Sequence, residues 1–147
     1  RTVTARIPKG AVDGQKLRVK GKGAPGLRGG AAGDLHITVR LRPHPVFRAD
    51  GHDLLLELPV TPAEAALGTM VEIPTLEQRI KVRIPAHCAS GQRLRIAGRG
   101  LPKPDASHGD LIAQVKIVLP KTLSAREREL YEQLAAASDF DPRIHLA

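Results

Sequence analysis

The strongest constraint on this chain is that part of it occurs twice. Arg6-Ile7-Pro8 leads into Gly14-Gln15-Lys16-Leu17-Arg18-Val19 and then Gly21-Lys22-Gly23. Seventy-seven positions later come Arg83-Ile84-Pro85, Gly91-Gln92-Arg93-Leu94-Arg95-Ile96 and Gly98-Arg99-Gly100. Nine of these 18 aligned positions are identical, and three more exchange Lys for Arg or Val for Ile. Chance at average residue usage gives about one identity, so the fold must use one structural unit twice. Both copies run on to Gly-Asp-Leu, at Gly33-Asp34-Leu35 and Gly109-Asp110-Leu111, the second copy being one residue shorter.

The periodicity inside the copies is that of strands. Thr2 to Ile7 alternates weakly and Pro8 ends it. Gln15 to Lys20 sets Leu17 and Val19 against Lys16, Arg18 and Lys20, and Asp34 to Arg42 sets Leu35, Ile37, Val39 and Leu41 against His36, Thr38, Arg40 and Arg42. Such alternation predicts half-buried strands with a basic outer face. The glycine-rich stretch 21–33 between them carries no apolar period and reads as a mobile loop. Further strands are expected at Asp53–Val60, Thr69–Pro74, Arg79–Ile84, Gln92–Ala97 and Asp110–Leu119, with Ile80, Val82 and Ile84 facing inward. Pro43-His44-Pro45 forbids helix and central strand alike and reads as a hinge.

Helical signals are few. Thr61-Pro62-Ala63-Glu64 is a capping box with Pro at the first helical position, and Gly68 stops that helix after little more than a turn. Ser124 and Glu127 form a second capping box, opening a helix expected to reach about Ala137. Its apolar stripe, Leu130, Tyr131 and Leu134, is too thin to hold a helix of that length alone, so it must dock on its own chain or on a second copy. The second repeat copy has a strand–helix–strand lead-in over residues 53–82, whereas the first has five residues there. Together with Arg1 in place of Met, this reads as a truncated first unit, with a lead-in of roughly 25 residues expected upstream.

Charge is unevenly placed. The net charge is +8, and residues 1–45 carry ten Lys and Arg against Asp13 and Asp34, which accounts for all of it. A basic surface of this kind suits nucleic acid or an acidic peptide. A solvated strand face whose compensating acids lie in missing sequence reads the same way. The aromatics are only Phe47, Tyr131 and Phe140, so the core must be aliphatic. Few aromatics also argue against stacking on single-stranded nucleic acid. No apolar run approaches the ~18 residues of a membrane span.

Catalytic and ligand motifs do not survive inspection. Gly21, Gly23 and Gly26 match G-x-G-x-x-G formally, but nothing after them can start the helix that would hold a pyrophosphate. Tight turns needing positive φ explain the glycines better. Cys88 is the single cysteine, which excludes an internal disulfide and a Cys-rich zinc site and fits a reducing compartment. The His87-Cys88 pair lacks a third orienting residue, the histidines show no ligand spacing, and no cofactor, metal or enzymatic activity is expected.

Taken in order, Arg-Ile-Pro, Asp-Gly-Gln-Lys-Leu-Arg, Gly-Lys-Gly-Ala-Pro-Gly, Gly-Asp-Leu and Arg-Pro-His-Pro-Val-Phe-Arg-Ala-Asp-Gly-His-Asp-Leu resemble the C-terminal region of J-domain co-chaperones of the DnaJ type. The resemblance covers nearly the whole chain. The single cysteine and the ending Gln133-Leu134-Ala135-Ala136-Ala137 followed by Phe140-Asp141-Pro142-Arg143 resemble the branch that lacks the zinc module and binds DNA. The fold this implies is mainly β: two tandem β-sandwich-like peptide-binding domains, the first truncated at its N-terminus, then a C-terminal helix. The expected divisions are 1–45 for the remainder of the first domain, 46–120 for the second, and 121–147 for a dimerising helix and tail.

The resemblance also implies function. Such a module binds unfolded client polypeptide, forms a homodimer and, in the full-length protein, delivers clients to a DnaK-type chaperone in the cytoplasm. The J domain of this family carries a His-Pro-Asp signature; His44-Pro45 is followed by Val46 and is not it. Of the family's client groove only Phe47 carries over, and a buried hinge anchor is an equal reading of that residue. Lys16, Arg18, Lys20, Arg40 and Arg42 are the candidates for contacts to double-stranded DNA. Leu130, Tyr131 and Leu134 are the candidates for dimerisation. The alternative function is a nucleoid-associated protein whose main task is binding curved or A/T-rich duplex DNA.

Overall fold

The structure, a computed structural model, describes Thr2 and residues 4–147. It is mainly β, with ten regular elements in chain order: β1 (Lys16–Val19), β2 (Leu35–Thr38), β3 (Phe47–Asp50), β4 (Asp53–Val60), α1 (Pro62–Leu67), β5 (Thr69–Pro74), β6 (Arg79–Ile84), β7 (Arg93–Ile96), β8 (Leu111–Ile117) and α2 (Ala125–Ala137). Short 3-10 turns add Leu27–Gly29 and Ile144–Leu146. Strands β1 and β2 form an antiparallel ribbon, β5 and β6 form another, and a four-stranded sheet has the order β3-β4-β8-β7.

The two repeat copies have the same local architecture, and it accounts for most of their identities. In each, a four-residue turn closes on Gln15 or Gln92, and its glycine, Gly14 or Gly91, has φ +84°. That conformation meets the type II turn requirement at its third position and is nearly free only for glycine. The glutamine then reaches back, and Oε1 accepts from Val12 N–H at 3.0 Å in one copy and from Ala89 N–H at 3.2 Å in the other. Gly14 N–H donates to Val39 O and Val39 N–H to Gln15 O, both at 2.8 Å; Gly91, Val115 and Gln92 repeat this at 2.8 Å. Two residues facing one is a β-bulge. The strand pair then ends at Gly21 or Gly98, whose N–H donates to Oδ1 of Asp34 or Asp110 at 3.0 Å.

The core belongs to the second copy and its lead-in. Leu54, Leu56, Leu58 and Val60 of β4 point to one face with Leu111, Ala113 and Val115 of β8. They meet Ile73 of β5, Ile84 of β6, Ala65 of α1 and Cys88. The four-stranded sheet thus packs on the β5–β6 ribbon in sandwich fashion, with an aliphatic interior. β4 runs parallel to β8 over seven register pairs, from Leu54↔Leu111 to Val60↔Ile117. Pro59 is tolerated in this inner strand because β3 ends at Phe47↔Leu56, so its missing N–H faces a free edge. Short α1 is capped as its sequence predicts: Thr61 Oγ1 accepts from Glu64 N–H and Glu64 from Thr61 N–H. Gly68 then turns out at φ +77°, where an added Cβ would meet Ala86 N at 2.8 Å and Ile84 O at 2.9 Å.

Several expectations need adjustment. The described part of Thr2–Ile7 carries no strand, and Arg1 and Val3 lie outside the described residues. The strand expected over Asp34–Arg42 stops at Thr38, because the bulge interrupts the ladder and Asp13 Oδ1 takes Leu41 N–H at 2.7 Å. The loop 21–33 is tied at its neck by Gly23 N–H to Gly33 O at 2.8 Å and Gly33 N–H to Ala24 O at 3.0 Å, with a 3-10 turn inside. Strand β3 was not anticipated. Gly51-His52 is the signal for it, since a two-residue hairpin loop that opens on glycine suits a type II′ turn, and Gly51, at φ +58°, joins the paired Asp50 and Asp53.

Candidate binding surfaces

The first surface is the outer face of the β1–β2 ribbon. Register sets Lys16 opposite Thr38 and Arg18 opposite His36, all four exposed, with Leu17, Val19, Leu35 and Ile37 half-buried beneath. Lys20 is exposed at the ribbon's end, and Arg40 lies beside Gly14, its guanidinium 3.4 Å from where a Cβ would stand. Arg42 sits further on, in a notch shared with Leu41, His44 and Phe47. The structure therefore brings Lys16, Arg18, Lys20 and Arg40 together and leaves Arg42 at the joint between the copies. Arg18 alone of the five has an acidic partner among the described residues, Asp34, with Nε to Oδ2 at 3.4 Å.

The same face of the second copy carries more compensating acid, although Arg93, in the place of Lys16, is exposed with no acidic partner among the described residues. Arg95 holds Asp110 at 2.7 Å and Asp53 at 3.8 Å; Lys116, in the place of Arg40, holds Glu57 at 3.4 Å; and Ala97 replaces Lys20. The Asp110 carboxyl is held below the usual carboxylate range, first by the Gly98 N–H and next by Arg95, and the Arg95 guanidinium is raised mainly by its bond to Asp110. Asp53 and Glu57 come from β4, a strand for which the β1–β2 ribbon has no counterpart among the described residues. The alternation in sequence showed the basic face but could not show which cations β4 would compensate.

Phe47 is 7% exposed, pairs with Leu56, and belongs to the core cluster; His44 lies against it with ring centroids 4.9 Å apart. So placed, it anchors β3 to the sheet and offers an incoming chain little of its ring. His44 Nδ1 accepts from Val46 N–H at 3.0 Å and Phe47 N–H at 3.3 Å. Cys88 is buried behind α1, its N–H bonded to Ala65 O at 2.9 Å, while His87 is exposed at φ +58°. No cluster of three or more metal-ligating side chains occurs among the described residues.

The second surface is apolar. Helix α2 is capped by Ser124 and Glu127 and braced by Arg126–Glu129 at 3.0 Å and Arg128–Glu132 at 3.1 Å, yet it buries no residue. Leu130 and Leu134 are exposed and Tyr131 half-buried. They face Pro62, Ala63, Ala66 and Leu67 of α1 across a cleft of about 440 Å³, and Leu67 is 79% exposed. Beyond the helix, Phe140, Ile144 and Leu146 are exposed as well. Sequence reasoning found the α2 stripe and missed the α1 side. Ala66-Leu67 was the available signal, since one-and-a-half turns of helix can turn only Ala65 to the core.

Among the described residues, no helix is long and apolar enough to cross a membrane. The architecture defines a tandem-repeat β module with a basic ribbon and an uncovered apolar helix. Residues 1–120 match the family described as DnaJ C terminal domain, and the chain belongs to that family. It is 50% identical over 143 residues to a protein named "Curved DNA-binding protein" from Pseudomonas syringae pv. tomato, covering 97% of this chain and 46% of that one. A protein of the same name from Serratia proteamaculans is 46% identical over 144 residues, with 97% and 46% covered. "Chaperone protein DnaJ 2" of Mycolicibacterium paratuberculosis is 47% identical over 146 residues, with 97% and 37% covered. The chain therefore spans less than half the length of these relatives.

Proposed function

We propose that this chain is the client-binding and dimerising part of a cytoplasmic DnaJ-type co-chaperone, which in the whole protein hands unfolded polypeptide to a DnaK-type partner. The observation that carries this reading is the family match over residues 1–120, joined to relatives named both as chaperone and as DNA-binding proteins. On it, 1–45 is the remainder of a first substrate-binding domain, 46–120 is a second, and 121–147 joins two copies through Leu130, Tyr131 and Leu134. Phe47 serves the client groove by fixing β3 at its border. The role is binding, not catalysis. The test is suppression of aggregation of a denatured client, with DnaK-dependent refolding by the full-length protein; absence of both overturns the reading.

A second reading stands on the basic face of the β1–β2 ribbon and the joint beside it, where Arg18 alone of five cations has an acidic partner among the described residues: non-specific binding to duplex DNA, with nucleoid association as the whole protein's other or main task. Lys16, Arg18, Lys20, Arg40 and Arg42 are the phosphate contacts it requires. A mobility-shift titration at low salt tests it, and no shift there removes it. Contacts of this kind release counterions and weaken steeply with salt.

A further inference from the structure

Gly10 and its counterpart in the second copy, His87, differ in an informative way. Both have left-handed backbone, φ +84° and +58°, each two residues beyond the Arg-Ile-Pro of its copy. His87 shows that this turn accepts a side chain. Gly10 cannot, because an added Cβ would overlap Pro104 N, Pro104 Cδ and Lys103 C of the second copy. The neighbouring copy thus adds a steric demand for glycine to the one the positive φ already makes. Beside this contact, His52 Nε2 lies 2.7 Å from Gly10 O. A carbonyl only accepts, so Nε2 carries the proton and donates. The backbone of His52 is itself fixed in the second copy, its carbonyl accepting from Leu101 N–H at 2.7 Å.

The connecting segment is bound to the first copy at one end and closed by a local turn at the other. Leu41 N–H is held by Asp13 on the first copy, and the N–H groups of Val46 and Phe47 are held by His44. Between them, Pro43 and Pro45 have φ confined by their rings. We propose that Gly10, Pro104 and His52 form an interlock that holds the two repeat copies in one relative orientation, so that 41–46 is a strap and not the hinge its prolines suggest. The interlock fixes the distance between whatever the two copies bind, and it stands whether or not the client or DNA readings hold.

Pulsed electron–electron resonance on the whole chain tests this, with spin labels on cysteines at exposed positions 38 and 78 in a Cys88→Ala background and labelled chains diluted in unlabelled ones. The unmodified interlock gives one narrow distance distribution. Gly10→Val broadens it at least twofold, and so does His52→Ala, which adds no strain and leaves the fold intact. His52→Gln keeps a donor near Nε2 and keeps the distribution narrow. Gly14→Val is the control, since it carries the same φ of +84° but faces only the flexible Arg40 side chain. A broad distribution in the parent, unchanged width in both Gly10→Val and His52→Ala, or equal broadening in Gly14→Val overturns the proposal.

Discussion

Arg95 and Asp110 stand 2.7 Å apart, in the place that Arg18 and Asp34 occupy at 3.4 Å in the other copy. In both, the aspartate also receives the N–H of the glycine that ends the strand. The pair is a closing element of the repeated unit, and the carboxylate does its work as an acceptor for backbone.

Asp110→Asn therefore should lower the melting temperature by a few degrees at neutral pH, because one charge-assisted bond to Gly98 and the pairing with Arg95 are weakened together. The sign with pH follows from the direction of the shift. Asp110 titrates lower folded than unfolded, so its contribution is complete above the ordinary aspartate value of about 3.9 and fades as pH falls through the lower folded value. Thermal unfolding followed by circular dichroism should show a constant gap between parent and variant above pH ~5 that closes below pH ~4. A gap independent of pH down to strong acid would contradict the assignment.

Glycines of the second copy separate crowding from conformation. Gly98 has φ +72° with nothing within 4 Å of an added Cβ, so Gly98→Ala should cost only left-handed strain, roughly 1–2 kcal/mol. Gly109→Ala would drive a methyl into the His52 carbonyl and against Asp53, and should cost about 3 kcal/mol or more. Urea unfolding of the two variants checks the order.

In the core, Leu111 and Ile84 have no exposed surface. Leu111→Ala should lose about 3–5 kcal/mol, since neighbours fixed in two sheets cannot collapse on the void. An exposed aliphatic such as Leu123, changed to Ala, should cost less than about 0.5 kcal/mol.

Removing residues 121–147 should convert a dimer to a monomer by light scattering. Leu130→Lys with Leu134→Lys should do the same without shortening the chain, because both side chains rim the α1–α2 cleft. Leu67→Lys, on the opposite wall, should weaken association as well. A mass that stays unchanged in all three would remove the apolar cleft as the interface.

For DNA, Lys16→Gln with Lys20→Gln and Arg40→Gln should reduce the slope of log affinity against log salt by up to about 2.7, at about 0.9 per phosphate contact. Arg95→Gln should change it little, since Asp110 and Asp53 already compensate that cation. Equal effects from both copies would show that binding does not reside on the β1–β2 ribbon.

Much of the fold was legible from residue pattern. Alternation placed β6, a strand was expected where β5 lies, and capping boxes placed both helix starts. The repeat placed the two strand pairs. What the pattern could not supply was pairing between distant segments. That β4 lies beside β8, carrying Asp53 and Glu57 to Arg95 and Lys116, is a tertiary fact with no local signature. The same holds for Phe47, whose burial depends on Leu56 across a hairpin, and for Gly10, whose steric constraint comes from Pro104.

The parallel pairing of β4 with β8 also sets a timetable. Leu54 precedes its register partner Leu111 by 57 residues, and no antiparallel neighbour longer than β3 can cover β4 meanwhile. At a synthesis rate of about 5–20 residues per second, the wait is on the order of 3–11 seconds. Through that interval the aliphatic face of β4 has no β8 to pack beside. The slow step in maturation of this module should therefore be closure of that long loop, with the carboxyl-terminal third of the chain arriving last to seal a strand made near the middle.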